Sequence, residues 1–215
     1  MRLLPLLGGL WLTTALAQPP DTPTPFDYLD TSPERIAVNH GVGIQLPVPG
    51  QFNGLGEHHY TSLFEHQPFA ISVTGYQHED LLLAVHAERL EDNAGSLHYD
   101  YLTPTTLNGI PFYQQEHCIE FSRSMVDNAQ DLRFFRAAGF DFSPGVYLRQ
   151  YFKTSVDGNA DVVITLAQKT DSCSPIAVNK GFKARFSSKV MHYVKPVQTE
   201  SAEHRLQQPP IRHAQ

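Results

Sequence analysis

Of 11 histidines, six (His58, His59, His66, His78, His86 and His98) fall within 41 residues of a 215-residue chain. Imidazoles at that density suggest a transition-metal site, which needs three or four ligands converging on one ion. The spacing works against it. Adjacent His58 and His59 point to opposite faces of an extended segment. If residues 69–78 and 81–90 form a hairpin, matching the Ile71/Val73 face to the Val85/Ala87 face pairs Val73 with Ala87 and His78 with Leu82. His86 then sits beside Thr74, four residues from the His78 rung. At the usual strand rise that is a separation of about 13 Å. Those two rings cannot share an ion. The expectation is surface or polar-face histidines, with no metal set assigned and His58, His59 and His66 as the local ligands to test.

Acid–base chemistry is the next possibility, because Glu79-Asp80, Glu88, Glu91-Asp92 and Glu116 to Glu120 supply many carboxylates. Their spacing singles out no pair, and neighbouring carboxylates in turns are ordinarily solvated. The sequence holds no G-x-S-x-G elbow, H-E-x-x-H pair or Cys–His signature. Gly50, Gly54 and Gly56 lack the lysine of a phosphate loop and read as loop punctuation. No catalytic residue and no cofactor is assigned. The Arg133-Phe134-Phe135-Arg136 run has two readings, aromatic core with solvated arginines or an anion-facing patch, and nothing in the sequence promotes the second. A hydrolase would have to assemble its site in the fold, for which a cleft setting His86 or His117 against a buried acid is the sign; an exposed aromatic patch would point to binding.

The N-terminal segment explains why the two cysteines can be covalent. Arg2, an apolar run over residues 3–12 and the Ala15-Leu16-Ala17 site have the three-part pattern of a cleaved export signal, and the run is too short to span a bilayer. In an oxidising compartment Cys118 and Cys173 are expected to form one disulfide. Its loop restricts the unfolded chain by about 4 kcal/mol on chain-entropy grounds. Net charge is −6, which disfavours a nucleic-acid partner. Residues 18–179 carry 8 basic and 20 acidic side chains and residues 180–215 carry 7 and 2, a basic end that a membrane surface or anionic partner could use; yet Lys180 and Lys189 flank opposite sides of an apolar stripe, which fits snorkelling around a buried face better than one basic patch.

These residues need elements to position them. Val146 to Val156 and Val162 to Leu166 alternate around Asp157-Gly158-Asn159, a hairpin; Asn108-Gly109 joins residues 103–107 to 110–121, with Pro111 marking an edge or bulge. Residues 42–46 and 69–77 read as strands, and 81–90 fits either period. Asp127 is expected to cap a short helix through Ala138, with Leu132 and Phe135 inward and Gly139 as its stop. A second helix is expected from Ser174-Pro175, carrying Phe182, Phe186, Val190 and Val194.

The resulting expectation is an α+β fold, an antiparallel sheet with a C-terminal amphipathic helix packed on one face and a short additional helix. Its organisation is signal peptide 1–17, extended proline-rich leader 18–39, single domain 40–195 and flexible tail 196–215. Functionally the sequence favours an exported, soluble, non-enzymatic binding or accessory module acting on an envelope component or another protein. A secreted hydrolase and a histidine-based metal carrier rank second and third. Ligand, partner and oligomeric state are left open.

Overall fold

Turn chemistry lays out most of the chain. In this computed structural model, which describes residues 26–64, 66–93, 97–174 and 195–196, Asn108 (φ 49°) and Gly109 (φ 81°) form the two-residue turn between β7 (Thr103–Leu107) and β8 (Ile110–Ile119). Left-handed backbone at both positions is what Asn-Gly tolerates and what a tight hairpin requires. The loop around Gly158 (φ 67°) links β9 (Gly145–Thr154) to β10 (Ala160–Thr170). Earlier come β4 (Asn53–Phe64), β5 (Gln67–His78) and β6 (Leu81–Leu90), a meander. These strands form one antiparallel seven-stranded sheet in the order β4-β5-β6-β10-β9-β8-β7. The meander and the later hairpins thus meet where β6 pairs with β10 at the centre.

A smaller antiparallel sheet, β1 (Leu29–Ser32), β2 (Arg35–Val38) and β3 (Ile44–Pro47), covers one face; Lys195–Pro196 (β11) pairs with β3 at its edge. Ile36, Val38, Ile44 and Leu46 pack there with Leu83, Val85, Val162, Ile164 and Leu166, all 1% exposed or less. Full burial of each such side chain is worth about 1.5–3 kcal/mol. On the opposite face, Ile71, Val73, Leu82, Val146 and Leu148 pack with Phe135, Phe140 and Phe142. Phe135 belongs to α2 (Gln130–Ala137), which follows α1 (Arg123–Asn128) in the β8–β9 connection. That connection swings across the sheet face as far as β4, where Gln130 Nε2 donates to the Thr61 carbonyl at 3.3 Å, and then returns.

The α+β expectation is therefore corrected. Among the described residues the fold is mostly β, two antiparallel sheets with two short helices, and no C-terminal amphipathic helix is packed on either sheet. One face is covered by β1–β3 and the other only in part by α1 and α2. The stretch expected to form that helix, residues 175–194, lies outside the described residues, as do the signal sequence 1–17 and the tail beyond Pro196. The leader read over 18–39 contains β1 and β2, because Leu29, Ile36 and Val38 supply buried strand residues that outweigh the nearby prolines. The β5–β6 register also differs. Glu79 (φ 53°) and Asp80 make a two-residue turn, so His78 pairs with Leu81, Val73 with His86 and Thr74 with Val85. Matching apolar faces fails because both faces of these central strands are buried.

Cys118 on β8 and Cys173 beyond β10 are joined in a disulfide with Cα atoms 5.4 Å apart. It fastens the exit of β10 to β8, where Glu120 Oε1 also accepts from the Cys173 backbone N–H at 3.2 Å. No helix among the described residues is long and apolar enough to cross a membrane.

Candidate functional site: a half-covered sheet face

A seven-stranded sheet is about 29 Å across at the usual strand spacing, whereas a helix the length of α2 is only about 12 Å long. Two short helices cannot cover that face, and the uncovered part is a cavity of about 890 Å³. Its floor alternates out of β6, β8, β9 and β10, and its wall is the α1–α2 connection. Most of the lining is aliphatic or aromatic, including Phe69, Leu82, Phe135, Phe142, Leu148 and Phe152. Phe64 (49% exposed) and Met125 (45%) stand on its rim.

Polar groups enter this apolar bowl in two places. Across β8, β9 and β10, Gln150 Oε1 accepts from Gln115 Nε2 and from His117 Nε2, each at 3.1 Å, and Gln150 Nε2 donates to Thr165 Oγ1 at 3.2 Å. The second group lies toward β6 and α2. His86 Nε2 is 3.4 Å from Asp131 Oδ2, while His86 Nδ1 is buried with no hydrogen-bond partner among the described residues. Asp131 sits in the first turn of α2 and accepts from the Leu132 N–H at 2.8 Å.

Glu88, two residues along β6 on the same face, stands directly opposite Asp161 of β10. Tyr99 donates its hydroxyl to Asp161 Oδ2; Asp161 is 1% exposed and its Oδ1 has no partner among the described residues. No described residue donates a hydrogen bond to the Glu88 carboxyl, which lines the cavity. At the same rung, His40 clips the two strands together: its Nε2 lies 2.9 Å from the Glu88 carbonyl oxygen and 2.7 Å from that of Asp161. With acceptors on both sides, the proton must be on Nε2. Burial holds the His40 pKa down, against these two bonds.

The ionisation pattern follows from burial and neighbours. Burial alone would lower His86, but the bond and charge of Asp131, helped by Glu88 and Asp161, carry its pKa upward. For Asp131, burial is outweighed by His86 and by backbone N–H groups, and its pKa falls. The two shifts agree on an imidazolium–carboxylate pair. Glu88 is raised by burial, with His86 opposing and Asp131 adding. Asp161 is raised well above the carboxylate range by burial and by Glu88, with Tyr99 and His86 opposing. Burial, with Asp161 and Glu88 adding, pushes the Tyr99 phenol up, so it remains a donor.

Comparison with protein-family models, curated proteins and solved structures finds no match.

The three histidines named as local metal ligands, His58, His59 and His66, do not converge. His58 faces the α2 side and stacks on Tyr60 (5.3 Å) and Phe134 (5.5 Å); burial lowers its pKa. His59 faces the small sheet, with Nδ1 2.9 Å from Ser72 Oγ. His66 is in the β4–β5 turn (φ 74°). Instead, ligand atoms of Asp27, Glu57 and His59 lie within 4.8 Å of one another. Glu57 already accepts from Thr31, and Asp27 from the Leu29 N–H, so this trio reads as a polar edge between the sheets. His78 packs on Phe52, on the opposite face of the sheet from His86, so the two are kept apart by facing and not by the strand distance that the expected register implied.

Glu116 lies on the opposite face from the cavity, accepting from Arg149 Nε at 2.6 Å and from Tyr147, whose pKa is pushed up to about 12 by burial and by that carboxylate. In the Arg133–Arg136 run, Phe135 is core and both arginines are exposed. Sequence spacing does not single out Asp131, Tyr99 or Asp161. Asp131 and Asp161 carry one usable signal: each is an acid embedded in an otherwise amphipathic or apolar run.

Proposed function

We propose that this protein is an exported, non-enzymatic binding module whose ligand site is the half-covered sheet face. The observation that carries the reading is the 890 Å³ cavity, largely apolar and aromatic with a few inward polar groups. Ligand pockets have that size and that composition. Export is supported by the three-part N-terminal sequence pattern and by the disulfide, which persists in oxidising compartments. The natural occupant is a component of that compartment with a sizeable apolar body.

Titration with the neutral apolar dye Nile red tests the reading. Binding is expected to saturate at one dye per chain with blue-shifted emission. Ser62→Phe adds a ring at a partly exposed lining position on β4. It is expected to weaken dye binding at least about tenfold, equivalent to about 1.4 kcal/mol, with circular dichroism unchanged. Absence of saturable binding, or equal binding by a folded Ser62→Phe variant, would remove the cavity as the site.

A hydrolase is the second reading, favoured by one specific observation: His86 and Asp131 form the His–acid pair that the sequence named as its sign, inside a cavity. It ranks second because, among the described residues, no hydroxyl or thiol is hydrogen-bonded to His86 Nδ1 and no lysine or arginine lines the cavity to stabilise an oxyanion. Ester turnover by the wild type that disappears in His86→Gln would reverse the ranking.

A further inference from the structure

We propose that the cavity is built for an organic cation: an amine or quaternary ammonium on an apolar body, its charged head lodged beside Glu88 and Asp131 among the rings of Tyr60 and Tyr99. This rests on the cavity being the ligand site, and adds the chemical class of the ligand. Three observations carry it. First, among the described residues the lining contains Glu88 and Asp131 but no lysine or arginine, and its one imidazole near those acids, His86, is taken by Asp131. Second, Glu88 reaches into the cavity without a protein hydrogen-bond donor among the described residues. It faces Asp161 across the strand pair, and Asp161, 1% exposed, keeps Oδ1 unpartnered among those residues. Two carboxyls directly opposite one another cannot both ionise without mutual repulsion, and a cation between them and the cavity compensates the second charge. Third, Tyr60 occupies the same rung of the sheet as Glu88, two strands away through Ile71, while Tyr99 is hydrogen-bonded to Asp161. Aromatic faces next to carboxylates are the surroundings in which alkylammonium groups are held by cation–π attraction.

A ligand carboxylate or phosphate would instead meet Glu88 and Asp131, and the one cationic group beside them among the described lining residues, the His86 imidazolium, is already bonded to Asp131. A neutral polar head would bind without exploiting the charges.

The occupant also has a proton signature. The groups facing Glu88 are His86 on its own strand, Asp161 on β10, Asp131 on α2, Tyr60 on β4 and Tyr99 in the segment before β7. Burial and the opposing acid favour a proton on the Glu88–Asp161 pair in the free protein. A cation favours the ionised form, so its binding releases protons and its affinity rises with pH.

Calorimetric titration with three dodecyl probes, each below its micelle concentration, tests the proposal: dodecyltrimethylammonium, dodecanoate and dodecyl maltoside. The cation is expected to bind at least about tenfold more tightly than either of the others at neutral pH. Its affinity is expected to rise as pH climbs above the ordinary carboxylate range, with proton release visible as a dependence on buffer ionisation heat. Glu88→Gln is expected to weaken the cation about tenfold and leave the maltoside unchanged. Dodecanoate or maltoside binding as tightly as the cation would overturn the proposal while leaving the cavity as the ligand site. Failure of all three to bind would overturn both. If Glu88→Gln does not fold, the wild-type selectivity and pH trend decide.

Discussion

Gly75 is where α2 is seated on the sheet, and it tests whether that seat positions the site. A Cβ added to Gly75 would stand 2.4 Å from Phe135 Cε1, 3.1 Å from Phe135 Cδ1 and 3.3 Å from Leu82 Cδ1. Phe135 is 2% exposed and hemmed in by Phe134 and the His86 ring, so it cannot simply swing aside. Gly75→Ala restricts the unfolded chain, which stabilises by about 0.4–1 kcal/mol, while overpacking costs about 1–3 kcal/mol. Overpacking wins. The expected net loss is about 1–2 kcal/mol, read as a lower urea midpoint at unchanged slope, or a fall in Tm of about 2–8 °C. With Phe135→Ala as background the added methyl meets no ring, so the double-mutant coupling should be about 1–3 kcal/mol. Asp131 is one turn before Phe135, so lifting the helix also draws Asp131 from His86. The His86 pKa should then fall toward its ordinary value in an NMR titration. Gly75→Ala as stable as the wild type, with no coupling to Phe135, would refute the packing argument.

Two further outcomes follow from the same geometry. Asp161 keeps a proton in the folded state that an unfolded chain releases at about pH 4, so its contribution to stability falls as pH climbs from there toward its raised folded pKa. Asp161→Asn retains an acceptor for Tyr99 and removes that loss: its stability relative to wild type, from thermal melts at several pH values, should increase from acid to neutral pH, and a constant difference would contradict the shift. Replacing Cys118 and Cys173 by serine is expected to cost about 4 kcal/mol in chemical denaturation on loop-entropy grounds. The loop in question spans a sequence separation of 55.

The parts of the fold legible in the sequence are those written in turn chemistry. Asn108-Gly109 and Asp157-Gly158-Asn159 announce their hairpins because few residues accept left-handed backbone. Register between β5 and β6 is not legible from apolar alternation, since β5 is buried from Phe69 through Tyr76 and both faces look like core. The turn itself holds the answer, with two residues between His78 and Leu81. Asp127 has the right type for a cap, yet α1 begins earlier. Ser122 is extended (φ −70°, ψ 154°), and its Oγ accepts from the Met125 N–H at 3.2 Å, as an N-cap hydroxyl does. Gly139 (φ 107°) does stop α2, as a residue free of a Cβ should. The site itself is illegible for a different reason. His86 meets Asp131 because a connection between neighbouring strands detours over the sheet face, and no local spacing encodes that detour.

The Glu88–Asp161 pair is the part of the site that folding alone does not explain. Both lie on central strands, where every other inward residue of β10 from Val163 to Ala167 is apolar or a hydroxyl. Two apolar side chains at this rung would avoid both the desolvation of two carboxyls and their mutual repulsion. Tyr99 satisfies one oxygen of Asp161, and His40 binds backbone carbonyls, so neither neutralises the pair. A buried feature that lowers stability without organising its surroundings is better explained by what it contacts when the cavity is filled. The same substitution therefore separates the two roles: Asp161→Asn should gain stability toward neutral pH in either case, but it should lose cation affinity only if the pair serves the ligand, and unchanged cation binding would make the pair purely structural.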